Sequence, residues 1–256
     1  MPSDTLDAPA EAPLAPPAAP ARPAPARPAP DRLVHGATLR PAPGPVRGFV
    51  AATVSRRPSN GVAAAAGSPW TRPALAGRLA ELSGCGASAA LTFAIALVLD
   101  TQRRGETVAW GTSRQSRFFP PDAAAGGVDL AALPVVRVPQ MQHVVRAGER
   151  LVRCGSFDLV LFDLVPCDGS LVPDPPLPLL TRLRGLAERH DAAVVFLTGR
   201  PAAAPSLSSL VSLRVEARRE RRLDGAFACR LTALRDKRRP DGWNLEIDCR
   251  GPDGLR

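Results

Sequence analysis

Two apolar runs decide the fold class of this chain. Residues 157–164 read Phe-Asp-Leu-Val-Leu-Phe-Asp-Leu, and residues 192–197 read Ala-Ala-Val-Val-Phe-Leu. Neither alternates cleanly between apolar and polar. A strand of that kind is covered on both faces, which is the condition inside a parallel sheet. Residues 179–190 lie between the two runs and place Leu180, Leu183 and Leu186 at helical spacing. The same alternation extends upstream. Residues 78–82 are a strand candidate ending in Ser83-Gly84-Cys85-Gly86, and residues 87–103 are an apolar helix stopped by Gly105. Residues 107–110 and 133–138 are further strands, and residues 140–154 have helical composition. Such alternation predicts an α/β fold with a mostly parallel central sheet and helices on both faces. Residues 211–217, 226–233 and 243–249 differ. They alternate apolar and polar residues around Gly225 and a Pro240-Asp241-Gly242 turn, which predicts an antiparallel hairpin extension.

The N-terminal side cannot join that core. Residues 1–30 hold ten Pro and ten Ala, a composition of extended chain with nothing to bury. The expected organisation is a disordered tail over residues 1–45, a partly ordered lead-in over 46–76 and one α/β domain over 77–256. No apolar run reaches the roughly 18 residues of a membrane span, and the start shows no basic-then-apolar leader. Five scattered cysteines without a C-x-x-C and three distant histidines give no zinc spacing. The expectation is a cytoplasmic protein with reduced thiols, no metal and no membrane association.

The glycine turn carries the chemistry. A strand, a glycine turn and a helix are the setting of a phosphate loop, G-x-x-x-x-G-K-[ST]. There the backbone N–H groups cradle phosphate and the Lys reaches the outer oxygens. In Gly84-Cys85-Gly86-Ala87-Ser88-Ala89-Ala90-Leu91 the first Gly is present. Ala89 stands for the second Gly, Ala90 for the Lys and Leu91 for the hydroxyl residue. Lys237 is the only lysine in the chain, so no other segment supplies the motif. An ordinary βα turn and a phosphate loop stripped of its chemistry are the two readings.

The surroundings resemble the RecA recombinase core over roughly residues 77–255. Residues 77–84 look like the strand before its phosphate loop, and Thr107-Val108-Ala109-Trp110 like its second strand. Residues 157–163 are similar to the Walker B strand, with Asp163 at the metal-side carboxylate. Residues 193–198 resemble the strand leading to the second DNA-binding loop, which would place that loop at 199–205. Residues 212–219, 229–234 and 236–239 resemble the hairpin that ends the core. The resemblance also marks what is missing. Gly111-Thr112-Ser113-Arg114 stands where the family carries its catalytic glutamate, and the polar sensor falls at Thr198. Without a phosphate clamp and a water-activating carboxylate there is no route to ATP hydrolysis. The chain is therefore expected to be a pseudo-ATPase with no cofactor. Among RecA relatives with decayed ATP sites it is most similar to ImuA-type proteins of damage-induced (SOS) translesion synthesis. That similarity implies a non-catalytic accessory role, with an ImuB-like Y-family polymerase homologue and/or RecA as partner. An ATP-independent DNA-binding RecA paralogue, or a cell-division inhibitor related to SulA, are the alternatives.

The net charge is +9, and much of it gathers near the C-terminus. Arg218, Arg219, Arg221 and Arg222 form one cluster; Lys237, Arg238 and Arg239 form another. They are candidates for contact with phosphates or an acidic partner, or are solvated turn charges. Alternate turns of an antiparallel ribbon fall at opposite ends, so the two need not form one patch. With 4% aromatic residues, a base-stacking platform is not expected.

Overall fold

The computed structural model describes residues 67–167, 172–223 and 226–249. The expectations for residues 1–45, and for 46–66 of the lead-in, lie outside the described residues. Eight strands form one sheet in the order β3-β2-β4-β5-β1-β6-β7-β8. They are β1 (Leu79–Ser83), β2 (Val108–Ser113), β3 (Val135–Val138), β4 (Leu159–Asp163), β5 (Ala193–Thr198), β6 (Leu213–Arg221), β7 (Phe227–Asp236) and β8 (Asn244–Cys249). The first six pair in parallel; β6, β7 and β8 pair antiparallel. The fold expected from the two apolar runs is the fold observed.

The helices are α1 (Arg72–Leu75), α2 (Ala90–Arg103), α3 (Pro120–Ala125), α4 (Val144–Arg153) and α5 (Leu177–His190). A 3-10 turn, Met141–His143, leads into α4. On one sheet face Phe93, Leu97 and Val98 of α2 pack against Leu82, Leu161 and Val195. On the other, Val145 and Val152 of α4 and Leu180 and Leu183 of α5 cover Val160, Phe162 and Phe196. The alternation inside each buried strand therefore sorts side chains to two covered faces. Gly148 of α4 lies directly over Phe162: a Cβ there would meet the ring at 1.8 Å. The helix reaches the sheet this closely only because position 148 has no side chain.

Boundaries differ from the sequence reading in instructive places. The segment read as a strand over 107–110 continues to Ser113, held on both sides by β4 and β3. The 211–217 strand continues to Arg221, because Arg218 to Arg221 keep pairing with β7. The first arginine cluster thus lies mostly on a strand, not in a turn. Helices α1 and α3 were not foreseen. Both have Pro at a first-turn position, where its missing N–H costs nothing. Trp70, just before α1, is buried and donates its indole N–H to Phe93 O at 3.0 Å. Residues 67–76 thereby dock on α2.

Candidate functional site

The connection after β1 goes to α2 on one sheet face, while that after β4 goes to α5 on the other. The C-terminal strand ends part there. A crevice at such a switch point is where open α/β sheets bind ligands. Three expected positions converge on it. Ser83 pairs with Thr198 and Asp163 with Leu197 in the strand registers, and Gly84 N–H donates to Thr198 O at 3.0 Å.

The glycine turn is closed on itself. Ser88 N–H donates to Gly86 O at 2.8 Å, and Ala89 N–H to Ala217 O on β6 at 3.4 Å. Ala90 N–H, the first of α2, donates to Ser88 Oγ at 3.0 Å. Arg219 N–H on β6 donates to Ala87 O at 2.9 Å, and Ser88 bridges Arg218. A Cβ on Gly84 would meet Ser88 Oγ at 1.9 Å, so the serine side chain fills the loop. Gly86 sits at φ +65°, a conformation natural to glycine. Three N–H donors at this helix start, those of Ser88, Ala89 and Ala90, are thus used inside the protein. Ala89 caps α2 and Ala90 and Leu91 begin it; none offers a charged or hydroxyl group.

Asp163 is equally engaged. It is 1% exposed at the end of β4. Ser116 Oγ donates to Oδ2 at 2.6 Å and Thr112 Oγ1 at 3.3 Å, while Val165 N–H donates to Oδ1 at 3.2 Å. Burial raises its carboxyl above the usual range, against these three hydrogen bonds. It ties β4 to the loop after β2. Among the described residues no group of three His, Cys, Asp or Glu is placed to hold a metal.

Thr198, at the sensor position, turns away from the glycine loop. Its Oγ1 donates to Glu81 Oε1 at 3.0 Å. Glu81 is fully buried in the middle of β1. Its Oε2 accepts from Ser206 Oγ at 2.6 Å and Leu207 N–H at 3.0 Å, and Arg214 Nε lies 3.7 Å away. Arg214 in turn donates to Ala204 O and, at 2.9 Å, to Pro201 O. Arg200 pairs with Asp174 and donates to Pro205 O at 3.0 Å. The 199–205 loop is thus folded down on a buried acid–base pair. A Glu inside the Leu-Ala-Glu-Leu run was the available signal for it, because a buried charge needs a partner.

The two basic clusters lie at opposite ends of the β6–β7 ladder. Leu213 pairs with Asp236 at one end and Arg221 with Phe227 at the other, a separation of about 27 Å at 3.4 Å per residue. Most members already have partners. Arg218 binds Glu216 at 2.9 Å, and Arg222 binds Glu246 at 2.8 Å and Asp248 at 2.9 Å. Arg219 lies over the Phe227 ring at 4.9 Å. Lys237 Nζ donates to Ser209 O at 2.6 Å and Arg238 to Ala76 O at 3.0 Å. Burial, then the neighbouring Arg235 and Arg184, lower the Lys237 ammonium. Arg221 and Arg239 show no ion pair among the described residues.

Beside the second cluster lies a buried ion pair not foreseen from sequence. Arg78 meets Asp236 at 2.5 Å, with both side chains at most 2% exposed. Asp236 also accepts from Trp243 Nε1 at 3.1 Å and Arg238 N–H at 2.9 Å. Burial would raise Asp236, but these donors and Arg78 outweigh it and hold the carboxyl below its usual range. Burial depresses Arg78, which has fewer partners to offset it.

The fold and crevice define an α/β chain with a strand–glycine turn–helix at its switch point. No family model matches it. It is similar to the protein RecA of Fusobacterium nucleatum subsp. nucleatum, 31% identical over 97 residues, which is 38% of this chain. The match spans a quarter of that relative's length. The chain therefore has a distant RecA similarity. Among the described residues no helix is long and apolar enough to cross a membrane.

Proposed function

We propose that this chain is a non-catalytic RecA-like accessory protein that works by binding other proteins. Its setting would be damage-induced translesion synthesis, with a Y-family polymerase homologue and/or RecA as partner. The observation that carries the reading is the glycine turn, where Ala89, Ala90 and Leu91 fill the phosphate-binding positions and the N–H donors of Ser88, Ala89 and Ala90 go to Gly86 O, Ala217 O and Ser88 Oγ. A loop so arranged has no Lys and no Ser or Thr hydroxyl at the clamp positions, and Asp163 has its oxygens occupied by hydroxyl and backbone donors. The distant RecA similarity supports the lineage. Among the described residues the outer strand β8 pairs only with β7 and offers a ladder edge to a partner strand. The pairing of Arg218, Arg222 and Arg230 with carboxylates weighs against DNA as its main ligand.

Affinity capture with the tagged full chain from DNA-damaged cells tests this. A polymerase homologue or recombinase is expected among the captured proteins, and its absence would remove the reading.

A further inference from the structure

Helices α4 and α5 lie side by side, and a trough runs between them, away from the glycine turn. One half, about 530 Å³, is walled by Arg146, Arg150, Arg153 and Arg182 around Glu149. The other half, about 270 Å³, sets Met141, Val145, Leu164, Val172 and Leu179 beside Gln142, His143 and Asp174, the last paired with Arg200. The halves adjoin, sharing Arg146, Pro176 and Leu179. Glu149 pairs with Arg153 at 2.5 Å and Arg182 at 3.2 Å. Arg146 and Arg150 are exposed and make no ion pair among the described residues. In the first half four guanidinium groups thus face one carboxylate, unlike the hairpin clusters. Positions 146, 150 and 153 fall on one helical face.

We infer that this trough receives a short acidic segment of a partner protein, apolar at one end and carboxylate-rich at the other. The inference rests on the proposed binding role and supplies its docking site. Guanidinium forks match carboxylates in paired hydrogen bonds, and the apolar half takes the adjoining side chains. From Met141 to Arg153 the helical path is about 18 Å long. An extended segment of about five or six residues spans it, at about 3.3 Å each. A nucleic-acid strand fits less well. It would engage the arginines but leave the apolar side chains without contacts, and among the described residues no Phe or Trp lines the trough to stack a base.

The test is fluorescence anisotropy with a labelled peptide of two leucines followed by four glutamates, titrated with the full chain. Saturable binding is expected. It should weaken at least tenfold when the glutamates become glutamines, and at least tenfold in Arg146→Glu/Arg150→Glu. It should change less than twofold in Arg218→Glu/Arg222→Glu. Circular dichroism checks the fold of each variant, and Arg146→Ala/Arg150→Ala provides a milder second variant with the same direction of effect. No saturable binding, or equal binding of the glutamine peptide, overturns the inference. So does tighter binding of a twenty-nucleotide oligothymidylate that is lost in the same variant. If the charge-reversed chain still captures the polymerase homologue or recombinase as wild type does, the trough fails while the accessory reading stands. If wild type captures neither, the accessory reading fails, and the peptide titration alone decides the trough.

Discussion

Ser88 sets the character of the glycine turn. Its hydroxyl accepts the first N–H of α2 and occupies the space left by the absent Gly84 side chain. Ser88→Ala is expected to cost about 1 kcal/mol, the usual loss for a helix-start acceptor, read from urea unfolding. Gly84→Ala should cost more, because its Cβ would displace that hydroxyl. Asp163 gives a second prediction at this scale. Its raised carboxyl means that ionisation works against the folded state, with burial as the cause. The penalty is absent while the group is protonated and grows as pH rises past its ordinary range, about 3.9. The stability of Asp163→Asn relative to wild type should therefore be higher at pH 7 than at pH 4, read from melting temperature. The failed phosphate-loop positions were legible in the sequence, since a missing Lys needs no structure to be seen. What fills the loop was not, because Ser88 looks like any helix-start serine until β6 is laid beside it.

At the scale of elements, the hairpin is fastened to the parallel sheet by Arg78 and Asp236, 158 residues apart in sequence. Arg78→Met leaves the carboxylate buried without its charge partner. The expected cost is about 3–5 kcal/mol, read from chemical unfolding. A loss below 1 kcal/mol would mean that the pair is not the fastener. Gly148→Ala should also destabilise, by crowding Phe162. The parallel strands were readable because each is a continuous apolar run. The outer half of β6 was not: Arg218 to Arg221 look like turn residues, and the ladder to β7, with the bridge from Ala87 and Ser88, holds them extended. Arg78, Glu81 and Asp236 stayed hidden because their partners are set by register between distant strands. The arginine spacing on α4 was present in the sequence, but its meaning depends on α5 lying alongside.

For the whole molecule, the pH response follows from the same groups. Burial acts against Asp158, but the Thr107 backbone and hydroxyl donors and Arg72 outweigh it and lower its carboxyl. Asp236 is lowered as well. For both, the stabilisation is complete above the unfolded value, about 3.9, and is lost as pH falls through the lower folded value. The stability difference between wild type and Asp236→Asn should therefore shrink as pH falls from 7 to 3. The described residues combine a mostly parallel sheet with a crevice that has no Lys at its glycine turn and whose one carboxylate, Asp163, is engaged by hydroxyl and backbone donors. The most direct test of that claim is calorimetric titration of the full chain with magnesium and ATP, paired with a hydrolysis assay with and without single-stranded DNA. The account predicts no heat of binding and no turnover above a mock preparation. Saturable binding, or turnover abolished by Asp163→Asn, would contradict it and make the crevice a working nucleotide site.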